Sequence, residues 1–409
     1  MYKVLIIDDE EKLRMLLSKI INIVLLFLTL LNVTNYSYSQ VYLTEKEKIE
    51  LVEQIKKEVL DSLKKVKEKP MLDTTKNFTI SGYIEPYYSY DLGNPSNHNR
   101  VGFNYSHQRH NEVNINLAFL KANYQSNRVR ANLALAAGTY VNANYAAEPG
   151  VLKYLFEANA GVKISKKHNL WLDAGIMPAH IGWETAIGKD NWTLTRSIAA
   201  ENSPYFETGA KLTYTSKNER WVVSALILNG WQRIQRLDGN NTPAFGHQLV
   251  FKPTSQITLN SSSFIGNDKP DSVRQMRYFH NFYGVFQLHE KFGLTIGLDF
   301  GAEQATKKSS QYNTWFTPVL ITKYNPISKL SIAVRGEYFN DSKGVIIPTG
   351  SLNGFKTWGY SLNLDYAITH FLTWRIEGRG FYSKDKLFLA NGKFTNTNFF
   401  ITSSFTIGF

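Results

Sequence analysis

LSIAVRGEYF (330–339) and LTWRIEGRG (372–380) both alternate with a period of two. In the first, Leu330, Ile332, Val334, Gly336 and Tyr338 fall on one face; Ser331, Ala333, Arg335, Glu337 and Phe339 fall on the other. In the second, Leu372, Trp374, Ile376, Gly378 and Gly380 oppose Thr373, Arg375, Glu377 and Arg379. Successive side chains of a β-strand point to opposite sides, so each stretch reads as a strand with one apolar and one charged face. Full charges in mid-strand do not suit a face turned into an apolar core.

The period holds from Phe78 to Phe409. Leu294, Ile296, Leu298 and Phe300 oppose Thr295, Gly297 and Asp299, while Val113, Ile115, Leu117 and Phe119 oppose Asn114, Asn116 and Ala118. A soluble sandwich would also alternate, but no helical layer covers these strands. The connections alternate in length as well. Short polar turns fall at 125–128, 166–169, 217–220, 253–256, 289–293, 325–329 and 368–371. Longer segments lie near 93–110, 145–153, 184–205, 235–243, 266–274, 303–312, 340–354 and 384–395.

This wiring predicts an all-β fold: a transmembrane antiparallel up-and-down β-barrel of about sixteen strands, both ends on the short-turn side, in an outer membrane. In hydrocarbon every peptide group must be paired internally, and a closed sheet has no unpaired edge. Tyr88, Tyr124, Trp183, Tyr214, Trp221, Tyr324 and Tyr382 stand near strand ends and suit interfacial girdles. The last residues, FFITSSFTIGF, place Phe399, Ile401, Phe405, Ile407 and Phe409 on one face. Such an ending resembles the signal read by the barrel-insertion machinery, with Phe409 as its terminal aromatic.

Composition narrows the classes further. There is no cysteine, so neither a disulfide framework nor a thiolate metal site exists. Aromatic residues make up 14% of the chain at a mean hydropathy of only −0.28, which argues against a helical membrane protein. The net charge is +12, but the basic residues are scattered, so outer-membrane lipid headgroups are the expected partner and nucleic acid is not.

Ahead of the barrel, residues 1–39 read as a receiver-like remnant plus a signal peptide. MYKVLIIDDEEKLRMLLSKI resembles the first strand and helix of a response-regulator receiver domain, with Asp8, Asp9 and Glu10 at the strand end. The remaining receiver elements do not follow. Instead Lys19, the apolar run IINIVLLFLTLL and small residues Ser37 and Ser39 describe a secretory signal peptide ending before Gln40. Read from Met15 the leader is ordinary, which marks the prefix as a mis-called start, a chimeric gene or a fusion remnant. Residues 40–77 form a charged periplasmic segment. Within it TEKEKIELVEQIKKEVLDSLKKVKEK (44–69) has capping-box spacing at Thr44 and Glu47 and reads as a short helix ending at Pro70. The barrel takes residues 78–409.

Several segments carry a family resemblance: SGYIEPYYSYD (81–91), RHNEVNINLAFLKANY (109–124), VRANLALAAGTY (129–140), KHNLWLDAGIMPAHIGWETAIGKDNWTLTRSI (167–198), NGWQRIQR (229–236), GNDKPDSVRQMRYF (266–279) and WRIEGRGF (374–381). They resemble the OmpL-like β-barrel outer membrane porin 2 family, across residues 78–409. The resemblance implies a porin.

A barrel of that size encloses an aqueous channel, and the passage is usually narrowed by a loop folded inward. The longest candidate is 184–205, with Lys189, Asp190, Arg196 and Glu201 as its constriction charges. The lumen-phase charges are Arg128, Arg130, Lys163, Arg335, Arg375 and Arg379, facing Glu157, Asp299, Glu337, Asp365 and Glu377, with further members such as Lys211 and Asp173. With Lys211 added to the bases, and Glu85, Glu112, Asp173, Glu207 and Glu303 to the acids, seven bases face ten acids. The basic excess therefore lies in turns and loops rather than in the lumen, and many lumen pairs are expected to be structural ladders between strands. His98, His107 and His110 share the first outer loop without metal-ligand spacing, so no metal and no cofactor is expected.

The expected function is passive diffusion of small hydrophilic solutes through a water-filled barrel, in a homotrimer. The alternatives are a plugged structural or adhesion barrel and, in a different class, an outer-membrane lipase or protease. For the last, Asn104, Ser106 and His107 are the nearest approach to a triad, and no nucleophile or metalloprotease motif appears.

Overall fold

A computed structural model describes residues 77–409. The leader, the receiver-like prefix and the charged helix all fall outside the described residues. Sixteen antiparallel strands close into one barrel. They are β1 (Phe78–Asp91), β2 (Val113–Gln125), β3 (Val129–Ala137), β4 (Leu155–Lys163), β5 (Asn169–Pro178), β6 (Phe206–Thr215), β7 (Trp221–Leu228) and β8 (Ala244–Thr254). The wall continues with β9 (Ile257–Gly266), β10 (Arg277–His289), β11 (Phe292–Gln304), β12 (Tyr312–Ile327), β13 (Leu330–Asp341), β14 (Phe355–Ala367) and β15 (Leu372–Ser383). A small hairpin, β16 (Phe388–Ala390) with β17 (Lys393–Thr395), rides in the last long loop before β18 (Thr397–Gly408) closes the wall against β1.

Neighbours in the wall follow chain order throughout, and β18 returns to β1. Seven short turns join β2–β3, β4–β5, β6–β7, β8–β9, β10–β11, β12–β13 and β14–β15, and eight longer loops join the remaining pairs at the opposite rim. Both ends of the barrel chain lie on the short-turn side, where Gly82 and Phe409 exchange two backbone hydrogen bonds of 2.7 and 3.0 Å. The alternation that predicted strands also sets the inside and the outside. Val334 is 51% exposed on the outer face, whereas its neighbour Arg335 is fully buried inside. Exposed Ile296, Leu298, Trp358, Leu362 and Ile401 extend the apolar belt. Tyr88, Tyr214, Trp221, Tyr324 and Tyr382 stand outward and exposed, as interfacial side chains would.

Two expectations are corrected. In β2 the phase is reversed: Leu117 is buried, Phe119 stacks on Tyr83 at 5.6 Å, and Lys121 reaches Glu157. From Leu117 on, the apolar series of this strand therefore points inward, onto an interior aromatic cluster built from Tyr83, Tyr140, Tyr145, Tyr205 and Phe206, whereas Val113 is exposed and Asn116 is buried against Glu85. Alternation shows that two faces differ; it does not show which one meets lipid. Trp183 is the second correction. It lies in an inward loop, packed against Gly297 and Tyr283, rather than in the girdle.

Candidate functional site: a loop clamped inside the barrel

The connection from β5 to β6 (179–205) turns inward instead of standing above the rim. It contains a 3-10 turn, Gly188–Asp190, and a four-residue helix α1 (Ile198–Glu201). Its first anchor is His180. Nδ1 meets the Glu207 carboxylate at 2.8 Å and Nε2 meets the Ser263 carbonyl at 2.8 Å, so the imidazole bridges β6 and β9. Burial alone would lower this imidazole's pKa, but the Glu207 carboxylate outweighs burial and raises it above the ordinary value. Next, Trp183 and Trp192 lie on inward-facing glycines of β11. A Cβ added at Gly297 would sit 2.1 Å from the Trp183 ring, and one at Gly293 would sit 2.7 Å from Trp192. Only glycine leaves that approach open.

The far anchor is the charge cluster on β13–β15. Across β14, Arg335 pairs with Ser361 and Ser361 pairs with Arg379, which offsets the carboxylates diagonally. Arg335 Nη2 lies 2.9 Å from Glu377 Oε1, and Arg379 Nη2 lies 2.6 Å from Glu337 Oε1. Gly359 and Ser361 on the intervening strand are small enough for these side chains to cross over. The free ends of all four groups are spent on the loop. Glu377 accepts the Thr195 N–H at 2.6 Å and Glu337 accepts the Ile198 N–H at 2.5 Å. Arg335 donates to the Thr195 carbonyl at 2.7 Å, and Arg379 to that of Arg196 at 2.6 Å. Arg375 is held bidentately by Asp365 at 2.7 and 2.8 Å and donates to the carbonyls of Gly188 and Asn191. Fixed charges bonded on both sides inside a dry interface act as clamps.

The four constriction candidates divide. Arg196 is fully buried and folds the loop on itself, donating to the carbonyls of Thr185, Leu194 and Ala186. Glu201 is buried and accepts the backbone N–H groups of Tyr105 and Ser106, which ties the first outer loop to this one. Lys189 and Asp190 alone are exposed, at the loop tip. Beside them a cavity of about 350 Å³ opens toward the short-turn side, lined by Lys189, Asp190, Lys323, Asp365 and Arg375 among others.

The lumen candidates divide in the same way. Arg335, Glu337, Asp365, Arg375, Glu377 and Arg379 belong to the clamp. Asp299 is buried and accepts from the Asn281 side chain at 2.6 Å, with no cation paired to it among the described residues. Arg128 is exposed on the β2–β3 turn, outside the strands. On β2–β6, away from the clamp, Lys121 reaches Glu157 at 2.5 Å and Arg130 holds Asp173 at 2.5 and 2.6 Å. Lys163 and Lys211, both half-buried, complete that wall. Lys121 was missed because of the reversed phase of β2; its spacing from Asn123 along one face was the available signal.

The first outer loop (92–112) is drawn in as well. Arg100 lies over the Phe400 ring at 3.4 Å, and Phe103 packs among Phe355, Phe381 and Phe388. At its end Arg109, together with Asn114, holds the Glu112 carboxyl down at about 2. His107 faces Glu85 at 3.2 Å, and no hydroxyl is bonded to it. No group of three or more metal-ligating side chains converges among the described residues.

A closed sixteen-stranded barrel with an apolar outer belt, short turns at one rim and a long loop folded into its interior is the architecture of an outer-membrane porin. Solved structures share the fold. An anion-selective porin from Comamonas acidovorans superposes with a TM-score of 0.53 at 8% identity, covering 81% of this chain and 99% of its own. OmpT of Vibrio cholerae, an outer membrane protein in a trimer form, gives 0.51 at 10% identity, covering 81% and 99%. OprB of Pseudomonas putida gives 0.51 at 10% identity, covering 82% and 94%. No curated protein matches the chain in sequence. Residues 77–409 match the family described as "Putative beta-barrel porin-2, OmpL-like", and the chain belongs to that family.

Proposed function

We propose that small hydrophilic solutes diffuse through a passage bounded on one side by the β2–β6 wall and on the other by the tip of the 179–205 loop. The observation that carries this reading is the division of the interior charges. Those on β13–β15 are buried in bonds to the loop, whereas Lys121, Arg130, Lys163 and Lys211 keep contact with water. The loop is thus clamped to β13–β15, and although Ala186, Ala200 and Tyr205 also pack on the β1–β3 side, these four basic side chains stay wet. No catalytic step enters this reading. The serine and histidine nearest to a triad, Ser106 and His107, are buried, with the histidine turned to Glu85.

Self-association is part of the proposal. On the outward series of β8–β10, surrounded by Phe245, Leu249, Ile265 and Phe282, stands a polar cluster. Ser263 Oγ meets His247 Nδ1 at 2.5 Å and Ser261 Oγ meets His280 Nε2 at 2.8 Å. Imidazoles are costly against hydrocarbon, and coverage by a neighbouring barrel in a homotrimer removes that cost. Phe409, whose ring stands exposed at the barrel's end, suits a contact with the insertion machinery.

One observation favours a second reading. Phe264, Phe339, Phe355, Phe381 and Phe400 are buried together beneath the outer loops, which suits a barrel closed at its outer half. Single-channel recording of the purified protein in a planar bilayer decides. A trimeric porin gives steady conductance that closes in three equal steps. Solitary steps would remove the trimer, and a silent bilayer would establish the closed barrel.

A further inference from the structure

We infer that the passage prefers small anions, whether inorganic or carboxylate, and that the basic wall of β2–β6 sets this preference. The inference rests on the porin reading above. Interior charges in total are nearly balanced, so composition alone gives no preference. Placement does. On β13–β15 the arginines 335, 375 and 379 are neutralised by Glu337, Glu377, Asp365 and the nearby Glu184, and the clamp arginines are almost wholly out of contact with water. A charge buried and paired in this way contributes little to the potential along a water-filled path.

The wet wall is asymmetric. In the pair Lys121–Glu157 the lysine is 29% exposed and the glutamate 8%. In the pair Arg130–Asp173 the arginine is 29% exposed and the aspartate 7%. In both, the carboxylate is tucked into the wall beneath and the cation is turned to the lumen. Asp173 also faces Lys211 directly in the β5–β6 register, at a distance too long for an ion pair, and its oxygens are already taken by Arg130. Lys163 and Lys211 have no ion-pair partner among the described residues, so their charges add to that surface. Across the passage, Lys189 and Asp190 offset each other at the loop tip, while Lys323 lies over the Trp192 ring at 4.4 Å. With Asp365, which lines the same cavity and is 16% exposed, six cations therefore stand against four carboxylates, and the carboxylates of the β2–β6 wall are the recessed partners. Low-dielectric walls lined by one sign of charge focus the field into the water between them, raising the local concentration of the opposite ion.

The test is the reversal potential of the intact purified protein in a planar bilayer under an asymmetric KCl gradient. The expected result lies on the chloride side of zero, with chloride more permeant than potassium. Replacing Lys163→Glu or Lys211→Glu is expected to lower the chloride-to-potassium ratio about twofold each, the effect of a reversed charge several ångströms from the ion path in screened water. Lys307→Glu, in the outer loop between β11 and β12, is expected to leave it unchanged. Conducting steps that reverse at zero or on the potassium side overturn the anion preference while leaving the porin reading intact. Absence of any steps overturns the porin reading itself, so the two failures are told apart. The wild-type reversal potential decides even where a variant fails to insert.

Discussion

Arg335 meets three carboxylates and three loop oxygens without contact with water, and the character of the whole site follows from that. Breaking one member of a buried ionic network leaves its partners charged and unpaired, at a cost of about 3–5 kcal/mol. Arg335→Met should therefore lower stability by about that much, read from urea unfolding of the barrel in vesicles. A loss no greater than the about 0.5 kcal/mol of a surface substitution would show that the network is not a clamp. The charges themselves were legible in the sequence, since Arg335, Glu337, Glu377 and Arg379 have the lumen phase. Their role was not. R-x-E on one strand and E-x-R two strands on spell a diagonal pairing, but the other half of their bonds goes to backbone atoms of 194–198, and no residue type reports a backbone partner. Arg196 and Glu201 show the same limit, being charged side chains of a long loop whose burial depends on how that loop folds back.

At the scale of elements, the inward loop is held at both ends by different chemistry. The far end uses permanent charges, whereas the near end uses His180, whose two ring nitrogens both face acceptors. That arrangement suits the imidazolium. Its pKa is raised, so the stabilisation is fully present below the ordinary imidazole value of 6.5 and is lost as pH rises through the higher native value. Amide exchange at residues 180–186, corrected for the intrinsic rate, should therefore quicken between about pH 6 and about pH 9. His180→Gln should remove the difference, and equal protection at both pH values would contradict a charged anchor. The strands were the most legible elements, because short turns and longer loops alternate along the chain and give both their number and the side on which the ends lie. β2 escaped for a physical reason. Leu117 and Phe119 face an aromatic cluster inside the barrel, and an apolar face against aromatics has the same pattern as an apolar face against lipid. Glycines 293 and 297 read as ordinary strand residues; that each accepts a tryptophan ring is visible only once the loop is in place.

For the molecule as a whole, the barrel divides its interior between a dry side and a wet side. The 179–205 loop is clamped along β11–β15 and also packs on Tyr83, Leu117 and Tyr140, and the wet part is the stretch of β2–β6 that carries Lys121, Arg130, Lys163 and Lys211. The absence of cysteine allows this division to be tested without background. Single cysteines placed at Lys211 and at Ser361, on opposite walls, can be exposed to a charged, membrane-impermeant thiol reagent while current is recorded from the inserted protein. Lys211→Cys should react and lose current, whereas Ser361→Cys, beneath the clamped loop, should keep its current unchanged. Reaction at Ser361→Cys with Lys211→Cys untouched would place the water on the other side of the barrel and contradict the account.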